Sequence, residues 1–129
     1  MLTITIKSDL TLETPKTLEI LVDAIGRENI YRVELNTKPG TQANPDGAML
    51  VASVCGGLRE HLAAFQIRVC GLASGYKGAG PYDLIACLRT LGITVPMLDD
   101  ETIINEANLH LAWEAGRGAD RELREVTVV

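Results

Sequence analysis

Apolar and polar residues alternate with period two over Leu2-Thr-Ile-Thr-Ile-Lys7, which predicts a half-buried strand. Thr14-Pro15 then offers a helix cap followed by proline at the first helical position, where its missing N–H costs nothing. Leu18, Leu21, Val22 and Ile25 form one helical stripe, and Gly26 is placed to stop the helix. Tyr31 to Asn36 predicts a strand with Val33 and Leu35 on one face. Leu50, Val54, Leu58 and Leu62 recur at four-residue spacing, predicting a helix from Ala48 to Phe65. Gly56-Gly57 would cost that helix about 1 kcal/mol each relative to alanine. Ile67, Val69 and Leu72, with Cys70 between them, predict a central strand over Gln66–Leu72 buried on both faces. A helix opening at Pro81 carries the stripe Leu84, Cys87, Leu88, Leu91 and closes at Gly92. Ile93 to Leu98 reads as a short edge strand because of Pro96. Asp99-Asp100 caps a final helix reaching about Gly116, and Arg124 to Val129 has strand character.

Strands alternating with helices predict an α/β protein with a mostly parallel sheet, and ligands or partners then meet the loops at the strands' carboxyl ends. Two loops occupy that place, Lys38–Gly47 and Ser74–Pro81. A chain of 129 residues, 47% of them hydrophobic, is long enough to bury a core of its own. The expected division is a domain over residues 1–116 and a C-terminal extension over 117–129 with a further strand.

A net charge of -5 with both signs interspersed argues against a nucleic-acid-binding face, and Arg59, Arg68 and Lys77 read as solvated surface. Three cysteines in apolar contexts, Cys55, Cys70 and Cys87, fit a reduced protein rather than a disulfide framework. No apolar run is long enough to span a membrane, and the first residues lack the features of a signal peptide. A cytoplasmic location is the expectation.

Ser74-Gly-Tyr-Lys-Gly-Ala-Gly-Pro81 follows a strand and opens a helix, where free backbone N–H groups and Lys77 could hold an anion. It is neither a P-loop, since Gly78 rather than serine or threonine follows Lys77, nor a dinucleotide fingerprint, whose glycine spacing differs. Ser74 could act as a nucleophile only beside a base. Leu72-Ala-Ser-Gly75 distantly resembles the nucleophile segment of Clp-type peptidases, without the histidine motif that accompanies it. The only histidines are His61 and His110, and neither lies in a recognisable motif. Cysteines and histidines show no zinc-site spacing, so no metal or cofactor is expected.

The order of elements over about Met1 to Leu111 resembles a STAS domain, the module of anti-sigma-factor antagonists and of sulfate-transporter tails. Val33-Glu-Leu-Asn36 is similar to its central strand. Asn44-Pro-Asp-Gly47, running into Ala48-Met-Leu50, stands where that family has an Asp-Ser-Ser-Gly-Leu-type motif. Leu88-Arg-Thr-Leu-Gly-Ile93 is similar to the Leu-x-x-x-Gly-Leu end of the helix that follows the Gln66–Leu72 strand, and Met97–Ala107 to the strand and acidic start of its last helix. The family's switch serine or threonine is absent, with Pro45 and Asp46 in its place, and Asp46 would either supply fixed negative charge there or, with Gly47, simply form a turn and helix cap.

The resemblance implies a small α/β sandwich with a four- to five-stranded mixed sheet and helices mainly on one face. It implies a non-catalytic regulatory or scaffolding module that binds a protein, a kinase-like or sigma-pathway regulator or a larger complex, with a homodimer also open. The partner-binding residues would be Lys38, Thr41, Asn44, Asp46 and Gly47 with the helix that follows them. The alternative is a nucleotide- or phosphate-binding protein, or a small enzyme, using Ser74, Gly75, Lys77, Gly78 and Gly80.

Overall fold

The computed structural model describes residues 2–8, 13–37, 48–54, 65–94, 97–116 and 122–128. Strand β1 (Leu2–Lys7) leads to helix α1 (Glu13–Ile25), whose buried side is Thr14, Leu18, Val22 and Ile25. Gly26 ends that helix, its N–H donating to Val22 O. A short 3-10 turn, Arg27–Asn29, then feeds β2 (Ile30–Asn36). Strands β3 (Ala48–Val54) and β4 (Phe65–Leu72) follow, then α2 (Ala79–Thr90), α3 (Asp100–Asn105), β5 (His110–Ala115) and β6 (Leu123–Val126).

The result is a mixed α/β fold with one six-stranded sheet in the order β1-β4-β3-β2-β5-β6, two or one strands more than the four to five expected. Nor is it mostly parallel: β1 runs parallel to β4, whereas β4–β3, β3–β2, β2–β5 and β5–β6 are antiparallel.

Two of the additional antiparallel strands replace predicted helix. Ala48–Val54 is a strand because Leu50 and Val54, four residues apart, share a face at a period of two as well as on a helix. Ala52, between them, completes the buried row. Leu58 and Leu62 lie outside the described residues. The helix expected to run to Gly116 stops at Asn105, capped at its start by the Asp99 side chain accepting from the Glu101 N–H. Beyond it, Leu109, Leu111, Trp113 and Ala115 alternate with His110, Ala112 and Glu114, a strand's period, and form β5. The strand expected over Ile93–Leu98 is absent from its described residues. Leu98 N–H instead donates to Thr94 O.

Register places the apolar side chains on one sheet face. One row across the strands is Ile6, Val69, Leu50, Leu35 and Leu111; the next is Ile4, Ile67, Ala52, Val33 and Trp113. All of these except Ile4 pack in one core with Leu18 and Val22 of α1, Leu84, Cys87 and Leu88 of α2, and Ile103 of α3. Burying each leucine, valine or isoleucine there stabilises the fold by roughly 1.5–3 kcal/mol. The opposite face carries Arg68, Arg32, Glu34, His110 and Glu114. Arg32 pairs with Glu114 and, at 3.6 Å, with Glu34, while His110 Nε2 lies 2.7 Å from Glu34 Oε1.

At the end of β4 the register shifts: Met49 pairs with Cys70 but Ala48 with Leu72, so Gly71 is an extra residue. This bulge returns Leu72 to the face of Val69 and aims the following loop across the end of the sheet.

Candidate functional site

That end of the sheet gathers the close of β2 at Thr37, the close of β4 at Leu72–Ser74 and the α3–β5 connection at Ala107–Asn108. Thr37 binds the first to the third. Its N–H donates to Leu109 O at 2.9 Å, its hydroxyl donates to Ala107 O at 3.1 Å, and Leu109 N–H donates to the same hydroxyl at 2.8 Å. Gly75 N–H donates to Ile103 O at 2.9 Å, binding the β4–α2 loop to α3. These bonds frame a recess of about 270 Å3 lined by Thr37, Leu72, Ala73, Ser74, Tyr76, Ala107 and Asn108.

The glycines of the loop have a packing explanation. A β-carbon at Gly75 would stand 2.6 Å from Ala107 Cα, one at Gly78 would stand 2.8 Å from the Tyr76 ring, and one at Gly80 would stand 2.7 Å from the Tyr76 hydroxyl. The absent side chains make room for the Tyr76 ring and for the α3–β5 connection. The helix begins at Ala79, two residues before Pro81, with Gly78 at its cap and no capping side chain. Lys77 is exposed and does not line the recess, whose walls hold no charged residue among those described.

Ser74 is the chemically distinctive member of the wall. Its hydroxyl oxygen is buried and has no hydrogen-bond partner among the described residues. A buried hydroxyl left unpaired costs about 1–3 kcal/mol. Among the described residues no base attends it: His110, expected in the last helix, is on β5, on the charged face of the sheet beside Glu34. His61 lies outside the described residues, as do Lys38, Thr41, Asn44, Asp46 and Gly47.

One carboxylate escaped the sequence reading. Asp83, on α2, is 2% exposed and accepts from Ser8 Oγ at 3.3 Å, joining the helix to the end of β1. Its place four residues before Cys87, on the buried stripe, is the signal that marks it. Cys87 is itself fully buried, and its thiol is pushed up from 9.0 to about 12, by burial first and by the charge of Asp83 second. Cys70 is also buried and free. Among the described residues no group of histidine, cysteine and acidic side chains is arranged to hold a metal, and no helix is long and apolar enough to cross a membrane.

Comparison of the chain with protein-family models, with curated proteins and with solved structures returned no match. The strand at Ala48–Val54 stands where the STAS resemblance placed the first turns of the helix following its binding motif.

Proposed function

We propose that the chain is a non-catalytic binding module that receives a segment of a protein partner at this end of the sheet. One side chain of the partner enters the recess. The observation that carries the proposal is the buried, unpaired Ser74 hydroxyl in the wall of an otherwise mainly apolar recess. A turn about χ1 brings it to a polar atom of the guest, and the hydrogen bond offsets a cost the free protein bears. The uncharged walls suit a neutral side chain with an apolar body and one polar group, as tyrosine has. Tyr76 and Tyr82, 50% and 47% exposed, stand on the same loop and helix start and supply the aromatic contact area that protein interfaces favour.

The residues here bind rather than react. Ser74 lacks an adjacent base among the described residues, and the Cys87 thiol stays protonated at neutral pH. The phosphate alternative has the uncapped start of α2 and exposed Lys77 in its favour, but the glycines it relied on serve packing.

Selection from a displayed peptide library, using the whole chain as bait, tests the proposal. Enriched peptides should share one aromatic position, and their affinity should fall when Asn108→Trp fills the recess. Peptides that bind Asn108→Trp as tightly as the parent would place the binding surface elsewhere.

A further inference from the structure

We infer that β1 is a dimerisation edge, and that two copies of the chain join their sheets antiparallel through it about a two-fold axis at Ile4. β1 is an outer strand of the sheet, paired only on its β4 side. Ser8 N–H donates to Cys70 O, so by strand alternation the even-numbered residues turn their backbone groups towards β4. Thr3, Thr5 and Lys7 turn theirs outward, and all three are exposed. An outer strand whose Thr3 and Thr5 turn their backbone groups away from the sheet is a template for another strand unless something blunts it. Among the described residues no proline, bulge or covering element does so, and the one charge, Lys7, stands at its end.

The occupant is a second copy because Leu2-Thr-Ile-Thr-Ile6 is palindromic in pattern. Placing Ile4 opposite Ile4 of the second copy sets Leu2 against its Ile6 and Thr3 against its Thr5. Every pair is then apolar with apolar or threonine with threonine, and apolar residues of both copies stay on the core side of the joined sheet. The same register makes Thr3–Thr5 the pairs that exchange backbone hydrogen bonds, as their outward groups require, and Ile4–Ile4 the closer pair that does not. A one-residue slip would set Ile4 against a threonine and Leu2 against Thr5 or Lys7. Lys7 falls beyond the paired segment and never faces its own copy. Leu2, 67% exposed in the single chain, gains an apolar neighbour. The joint is isologous and closes after two copies, because the two-fold pairing uses the β1 edge of both.

Sedimentation equilibrium from low micromolar to near-millimolar concentration should show twice the 13.9 kDa mass of the chain. Thr5→Pro should raise the dimer dissociation constant at least tenfold while leaving the fold intact, since the N–H it deletes points away from β4. Ile4→Cys should give a disulfide-linked dimer on mild oxidation, the two β-carbons being within about 4.5–5.5 Å of each other. In an otherwise identical chain, Thr3→Cys should not, because residue 3 faces residue 5. A monomer at every concentration would overturn the inference. So would a dimer indifferent to Thr5→Pro, which would have to form through another surface.

Discussion

Gly75 and Ala107 approach so closely that a β-carbon on the glycine would stand 2.6 Å from the Cα of the alanine. The contact is between backbones. It presses the β4–α2 loop onto the α3–β5 connection and closes one side of the recess.

Substitution at Gly75 should therefore be among the most damaging in the loop. Gly75 has φ +88°, so alanine there meets both backbone strain of roughly 1–2 kcal/mol and overpacking of roughly 1–3 kcal/mol. Gly92 has a similar φ of +98°, but its nearest neighbour, Arg27 Cδ, would be at an ordinary 3.5 Å. Urea unfolding followed through Trp113 should show Gly75→Ala losing more than Gly92→Ala. Adding Ala107→Gly should not rescue it, because Ala107 Cα and N remain in place.

The Cys87 thiol gives a pH signature. Its proton is held to about pH 12 in the folded chain but only to 9.0 in the unfolded one. The stabilisation is fully present below pH 9.0 and is lost as pH rises towards 12, at up to about 1.4 kcal/mol per pH unit. Other groups titrate in the same window, so the comparison is with Cys87→Ala, whose stability should fall less steeply between those limits. Equal slopes would contradict the burial of the thiol. Ellman's reagent at pH 8 should also react with Cys87 only on the timescale of unfolding.

On the charged sheet face, the Arg32–Glu114 pair should contribute little. The side chains are 28% and 49% exposed, and an exposed pair is worth about 0.2–1 kcal/mol. A double-mutant cycle with Arg32→Ala and Glu114→Ala should give a coupling in that range that shrinks with added salt. A coupling of several kcal/mol would mean that this face is covered.

The elements with an unambiguous period were legible in the chain. β1, the stripe of α1, β2 and the stripe of α2 follow directly from their apolar spacing. Leu50 and Val54 misled because a spacing of four fits both a helix and one face of a strand, and only the pairing of β3 between β2 and β4 decides between them. His110–Ala115 carried a legible period of two, obscured by the real helix cap at Asp99 just before it. The Ser74–Gly80 loop was found as a loop of consequence, but its glycines suggested an anion cradle. That they yield to the ring of Tyr76 and to Ala107 is a tertiary fact, and Ala107 is remote from them in sequence. The recess was invisible for the same reason, since Thr37, Ser74 and Asn108 meet only once the sheet order is set.

The most direct test of the recess as a side-chain receptor is an amide NMR titration of the whole chain with p-cresol, the side chain of tyrosine with a hydrogen in place of its backbone. Shifts should concentrate on Ser74, Tyr76, Ala107 and Asn108 and disappear in Asn108→Trp. Ser74→Ala should weaken binding by the worth of one neutral hydrogen bond, about 0.5–1.5 kcal/mol, or roughly 2- to 12-fold. Shifts that are absent, spread over the surface or unchanged in Asn108→Trp would contradict the account.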